Sequence, residues 1–493
     1  MTPFIRTVLC STLPLLSLAA CQHPPAAPSV SAAMPACPAG ATGVREELPT
    51  TQGTMPYRAC AGTLSLSNAS RAKIVDLFYT AYLAPSAEPA ARPIAFVWNG
   101  GPGADSRLLQ FHALGPKTLE DGELADNPES PLASADLVFL DPAGTGFSRA
   151  ASEEAQKQLY STTGDIAATA RFIRRFLEVE GRSASPVYLV GESFGTWRSA
   201  GVAEALIDAG QPVAGIALIS GGIPMGEERN RSLMRALTLP NRTATALALG
   251  KLDASLAATP DATLAEAEAW ARQVWFPALA HPEDLSDAAR DEVVEGLSRY
   301  MGLPPSRIDR ETLWVSPRDF RTALLAEKGK TLGIFDMRRT DAEHDAVAGS
   351  DAILAWYRQT LGYTGGEYAG IEVPALPVGS NWQYDQSPIT KESLARAIAG
   401  EGPPSPSQPW VLRAMQKSSK LRVFVATGLF DSLNGCAANR EAAADFVPSI
   451  AERIAAHCYR GGHIMYEDPA EAVQFAKDVK SFLCNSAFQG DEE

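Results

Sequence analysis

Short apolar runs alternate along this chain with longer amphipathic stretches. Ile94–Trp98 (IAFVW), Leu137–Leu140, Val187–Val190 and Ile216–Ile219 read as strands. Asp165–Val179 and Trp197–Ala209 carry helical periodicity between them. Strands alternating with helices predict an α/β fold, a mostly parallel, doubly wound sheet with helices on both faces. Upstream, Thr63–Tyr82 holds β-rich runs such as KIVDLFYTAYL, expected as antiparallel strands at a sheet edge. The pattern changes at about Gly226. From there to Val373 the chain is rich in Ala and Leu, helical, and without a clear apolar strand. That stretch predicts a helical insertion capping the sheet. Alternation returns with a helix over Pro409–Gln416, a strand over Leu421–Thr427 and a final helix, Pro469–Leu483, carrying an apolar stripe. The expected organisation is a core in two parts, 52–225 and 374–488, separated by the insertion at 226–373.

The N-terminus breaks from this pattern. Arg6 is followed by an apolar and small-residue stretch, Val8–Ala20, too short to span a bilayer, and then by Cys21. This resembles a bacterial lipoprotein signal over residues 1–20, in which cleavage leaves Cys21 as the lipid-bearing first residue. An ordinary signal peptide cut after an Ala-x-Ala-like site is the alternative. Either implies export, and the first implies a periplasmic or outer-membrane-anchored lipoprotein. Residues 21–51, rich in Pro and Ala and aperiodic in the Gln22–Thr51 stretch, read as a flexible tether.

Composition narrows the functional classes. The 493 residues are 45% hydrophobic and 20% charged, an ordinary globular balance, with a net charge of −14 and no basic block, which argues against a nucleic-acid partner. Oligomeric state cannot be read from these features. Of seven Cys, Cys10 leaves with the signal and Cys21 is expected to be acylated. Cys37, Cys60, Cys436, Cys458 and Cys484 remain in an oxidising compartment, enough for two disulfides and one free thiol, with Cys436–Cys458 the first pairing to expect. No cluster of His, Cys and acids has metal-ligand spacing, so no metal or cofactor is implied.

The candidate chemistry sits where apolar runs end. PVYLVGESFGTWRSAGVAEAL (186–206) is a strand, then Gly191-Glu192-Ser193-Phe194-Gly195, then a helix. Gly-x-Ser-x-Gly between a strand and a helix is the nucleophile elbow, a turn so sharp that its flanks must be Gly. A serine needs a base to take its proton, and in this architecture the order is Ser, then acid, then His. Asp431 stands just past the carboxyl end of the strand in LRVFVATGLFDSLNG, where a loop Asp capping a helix is the alternative reading. His463 follows two glycines in YRGGHIMYEDPAEAVQF and is the best-placed base of the six His. His457 lies in an apparent helix beside Cys458, a pattern that favours burial. A developing oxyanion needs N–H donors: one from Phe194, the other from an earlier loop, for which FVWNGGPGADS (96–106) supplies three glycines.

In order along the chain, WNGGPG (98–103), FLDPAGTGFS (139–148), GESFGT (191–196), GLFD (428–431) and GGHIMY (461–466) resemble the serine carboxypeptidase family of the α/β-hydrolase superfamily. GKTLGIFDMRR (329–339) is similar to a segment of its bacterial branch. The resemblance implies an α/β-hydrolase fold with a helical cap and release of C-terminal residues from peptides through an acyl-enzyme. It implies Ser193, Asp431 and His463 as the triad and the Gly101 and Phe194 N–H groups as the oxyanion hole. It also implies that Asn99, the Gly100 N–H and Glu192 hold the carboxylate of a peptide's free C-terminus. Two positions depart from the pattern. Ala104 replaces the Cys that often follows Gly-Pro-Gly, and Ala113 stands where a second Glu often pairs with the one beside the nucleophile. These departures leave room for an esterase or acyltransferase on the same triad. A non-catalytic surface protein of the same fold is a third reading, against which the intact Ser, Asp, His and glycine loop argue.

Overall fold

The computed structural model describes residues 33–50, 53–226, 230–340, 350–399 and 401–484. The signal segment and Cys21 lie outside the described residues. Twelve strands are described: β1 (Thr42–Thr50), β2 (Gly53–Ser67), β3 (Lys73–Leu83), β4 (Ile94–Trp98), β5 (Lys117–Glu120), β6 (Glu123–Asp126), β7 (Asp136–Leu140), β8 (Arg149–Ala150), β9 (Val187–Glu192), β10 (Gly215–Ile219), β11 (Arg422–Gly428) and β12 (Ile454–Tyr459). Nine run in the order β1-β2-β3-β7-β4-β9-β10-β11-β12, with β8 paired to β3, while β5 and β6 form a separate hairpin. From β7 to β12 every pairing is parallel, and β1, β2, β3 and β7 pair antiparallel. Every residue of β4, β7, β9 and β10 is buried, which explains their unbroken apolar runs.

The path of the chain through this sheet decides where a ligand can sit. From β4 the chain passes to β7 on one side, and later to β9 on the other. The order therefore reverses at β4, and in open α/β sheets the crevice at the carboxyl ends of such strands is the binding position. β4 ends at Trp98 and β9 at Glu192, so the glycine loop and the nucleophile elbow both open into this crevice.

Two apolar layers cover the sheet. One includes Phe172, Ile173, Val202 and Leu206, from the Thr162–Val179 and Gly195–Asp208 helices. The other includes Phe475, Val479 and Phe482 from the final helix, Pro469–Cys484. The insertion is helical, and no strand lies among its described residues. Its helices bury a core of their own, centred on Trp275, Leu297, Met301 and Phe320. The end of that stretch departs from the expected cap. Ile353, Trp356, Tyr357 and Tyr368 pack with Phe78, Phe111 and Phe147 in the sheet's own core.

Two sequence expectations need correction. The stretch read as tether enters the sheet at Thr42. β1 pairs with β2 along its whole length, Leu48 is fully buried, and Cys37 is bridged to Cys60. Pairing supplied the order that Pro and Ala content had seemed to exclude. His457 lies in strand β12 rather than in a helix and is half-exposed, because β12 is the sheet's edge. The final helix ends, among described residues, at Cys484. Cys436 pairs with Cys458, and Cys484 is the free thiol. No described helix is long and apolar enough to cross a membrane.

Candidate active site

Ser193 and Phe194 form the two-residue turn between β9 and the Gly195–Asp208 helix. The φ of Ser193 is +55°, a left-handed conformation that is uncommon for a residue with a side chain and recurs at functional turns. The turn is over-determined: Ser193 N donates to Ile219 O at 2.8 Å, and Thr196 Oγ1 donates to Ser193 O at 2.8 Å. A Cβ on Gly191 would lie 2.1 Å from Gly195 O, which is why this turn cannot carry side chains at its flanks.

The loop after β4 lies directly against the elbow. A Cβ on Gly100 would sit 2.5 Å from both Glu192 O and Phe194 N, so only glycine allows the two backbones to approach this closely. Gly101 has φ +96°, and Ala104 N closes the turn on Gly100 O at 3.1 Å. Asn99 is buried and fixed at both ends of its amide, Oδ1 accepting from Leu109 N and Nδ2 donating to Glu192 Oε1, each at 3.0 Å. Below it the buried Arg198 donates to Asn99 O at 2.9 Å and pairs with Asp165 at 2.6 Å. Sequence reasoning missed this pair, because a buried Arg in a helix has no local signature.

Asp431 and His463 come from the loops after β11 and β12 and meet in the same crevice. His463 Nδ1 lies 2.9 Å from Asp431 Oδ2, and both residues are buried. Asp431 also accepts from Leu433 N at 2.8 Å and from Asn434 Nδ2 at 3.1 Å, and Asn434 Nδ2 bonds Ser220 O at 2.9 Å. These bonds fix the carboxylate so that it can hold one imidazole orientation, with Nδ1 engaged and Nε2 outside this bond. Burial alone would push the His463 pKa down. The charge and hydrogen bond of Asp431 outweigh it, with help from Glu192, and the pKa is raised above the ordinary histidine value.

The segment GIFDMRR straps these two loops together. His463 N donates to Phe335 O at 2.6 Å, and the Phe335 ring packs on the imidazole at 5.1 Å. Met337 N donates to Phe430 O at 2.9 Å, and Ser432 Oγ to Ile334 O at 2.6 Å. Arg338 lies over the Phe430 ring and pairs with Asp336 and Asp468.

The structure therefore brings Asn99, Gly100, Gly101, Glu192, Ser193 and Phe194 together on one side of the crevice and pairs Asp431 with His463 on the other. It adds Asn434, Phe335 and Tyr466, whose hydroxyl donates to Glu192 Oε2. The signal for Tyr466 was its position three residues after His463, but a tyrosine there reads equally as core. Among the described residues, the one group of His and acids close enough to share an ion is His281, Glu283 and Asp284, all exposed on the insertion.

Residues 49–214 match the family model described as serine carboxypeptidase. Serine carboxypeptidase-like 50 of Arabidopsis thaliana is 31% identical over 158 residues, 30% of this chain and 32% of that protein. Carboxypeptidase Y homolog A of Phaeosphaeria nodorum is 32% identical over 114 residues, 22% of this chain and 19% of that protein. The chain thus spans a third or less of the length of these curated relatives, which come from a plant and a fungus and do not bear on the bacterial branch. Among solved structures, the Saccharomyces cerevisiae prohormone-processing carboxypeptidase Kex1(delta)p aligns with a TM-score of 0.51 at 13% identity, over 86% of this chain and 92% of that one, which speaks to fold. Over its matched segment this chain is similar to the serine carboxypeptidases, and its fold resembles that of the yeast carboxypeptidase.

Proposed function

We propose that the chain is an exported serine peptidase that releases residues from the free C-terminus of peptides. The observation that carries this reading is the buried His463–Asp431 bond in the same crevice as the left-handed Ser193 turn. In the proposed mechanism His463 Nε2 takes the Ser193 proton as Oγ attacks the scissile carbonyl. Asp431 holds the imidazole and stabilises its charged form. The Gly101 and Phe194 N–H groups receive the developing oxyanion. The proton then passes from His463 to the leaving amine, and water repeats the sequence on the acyl-enzyme. Asn99, the Gly100 N–H and Glu192 face the carboxylate of the peptide. The disulfides support an oxidising compartment, and we propose Cys21 as a lipid anchor. An esterase is the second reading, favoured by one observation: Ala113 leaves Glu192 without a carboxyl partner.

The test incubates the purified full chain with N-blocked dipeptides and with aryl esters. Release of the C-terminal amino acid, lost in Ser193→Ala by roughly 10⁴-fold or more, is the expected result. Ester turnover with intact dipeptides would favour the second reading, and failure of a fluorophosphonate to label Ser193 would overturn both.

A further inference from the structure

Glu192 directly precedes the nucleophile and is fully buried, with both carboxyl oxygens already engaged. Oε1 accepts from Asn99 Nδ2, and Oε2 accepts from the hydroxyl of Tyr466, itself buried. The turn Met465–Glu467 that carries Tyr466 packs on the turn Gln110–Leu114 that carries Ala113. Across this contact His112 Nδ1 lies 3.3 Å from Glu467 Oε1. Ala113 presents only a methyl group here, and the nearby Tyr466 brings a phenol to Glu192.

We propose that Tyr466 is a positioning residue that stands in for the second carboxyl, and that it sets the pH range over which Glu192 receives a substrate carboxylate. This deepens the carboxypeptidase reading and rests on it.

The reasoning is electrostatic. Two carboxylates cannot share a contact unless a proton lies between them. Glu192 must therefore be protonated when the carboxylate of a peptide arrives, and donate that proton to it, while Asn99 Nδ2 and the Gly100 N–H supply the other donors. Burial, with a smaller push from the nearby Glu467 charge, favours this neutral form and raises the Glu192 pKa, against the pull of His463 and of the bonds from Tyr466 and Asn99. A phenol partner differs from a carboxyl partner in kind. Burial and the nearby Glu192 charge hold the Tyr466 pKa well above its usual value, so it stays a neutral donor throughout the working range. It stabilises the Glu192 carboxylate and adds no negative charge of its own to keep the proton in place. Removing the hydroxyl withdraws one donor from the charged form only, so Glu192 keeps its proton to higher pH.

Binding tests this without turnover. Calorimetry on the full-length Ser193→Ala protein and on Ser193→Ala/Tyr466→Phe would use N-acetyl-phenylalanine, N-acetyl-leucine and N-acetyl-lysine, with the matching amides, from about pH 4 to about pH 9. In the single variant the acids should bind at low pH and weaken about tenfold per pH unit above the Glu192 midpoint, while the amides show no such limb. In the double variant that midpoint should rise by roughly one to two pH units, the range expected for a lost hydrogen bond to a charged group. A midpoint that stays put, with weaker binding at every pH, would make Tyr466 packing only and overturn the proposal. So would acids that bind no better than amides, or not at all. Failure of the carboxypeptidase reading is visible separately, as absent dipeptide turnover by the wild type when Ser193 still labels. Thermal unfolding of each variant reports its folding.

Discussion

The two sides of the crevice are built in opposite ways. The nucleophile side, residues 94–219, is held by backbone against backbone: β4, β9 and β10 are buried, and glycines let the turn at Asn99–Gly103 touch the turn at Glu192–Gly195. Its order depends on near neighbours in one sheet, and the family match at 49–214 falls here. The acid and base side is held by side chains and by a strap from a distant segment. Asp431 and His463 sit on loops at the ends of β11 and β12, and Ile334–Met337 ties those loops together from the far end of the helical insertion. The first side is fixed by close backbone contact between two turns and tolerates almost no added atom. The second depends on a long-range contact and can be weakened in degrees.

Substitutions at the acid and at the glycine turn separate these two kinds of failure. Asp431→Asn keeps the volume but removes the charge that holds the His463 Nδ1–H. Turnover should fall about 10⁴-fold, measured as kcat on an N-blocked dipeptide, with folding unchanged by circular dichroism. A loss under tenfold would mean that Asp431 does not orient the base. Gly100→Ala attacks the other side. Its Cβ would meet two backbone atoms at 2.5 Å, so the proposed oxyanion donors must shift, and kcat should drop roughly 10²- to 10³-fold. Retained activity would place the oxyanion hole elsewhere.

Asp141, at the end of β7, probes the anchoring of the nucleophile side. It is fully buried, accepts from Ser106 N at 2.9 Å just past the glycine loop, and has its Oδ2 unpartnered. Burial, and next the charge of Asp105, push its pKa up to about 7. For an acid raised in the folded state, the stability of the neutral form is present below the unfolded value near 3.9. It is lost as pH rises toward the folded value. Thermal stability should therefore decline between about pH 4 and about pH 7, by up to a few kcal/mol, and Asp141→Asn should flatten that decline. An unchanged pH profile in the variant would show that Asp141 is ionised throughout.

The smallest effect is expected at the strap. Phe335→Ala removes the ring from His463 but keeps the Phe335 carbonyl that accepts from His463 N, so kcat should fall only several-fold. The pH–rate profile adds a check on sign. Rate should fall as pH drops through the raised His463 pKa, because a protonated imidazole cannot accept the serine proton.

Much of this was legible in the order of residues, because local patterns carry it. Five apolar runs were read as strands, and Gly-x-Ser-x-Gly needed only the strand before it and the helix after it. The glycine-rich turn was readable because atoms within that turn and its partner leave no room for a Cβ. By itself the sequence determined the alternating strands and helices, the helical character of the insertion, and the candidate Ser193, Asp431 and His463, since each rests on periodicity or on a short motif. The tertiary structure alone decided that β1 joins the sheet, that His457 lies on an edge strand, and that Ile353–Tyr368 packs into the sheet's core rather than the cap. It also decided the partners of Glu192. Asn99 and Tyr466 are 93 and 274 residues from Glu192 along the chain, and no local pattern encodes a contact whose parts meet only when the sheet closes.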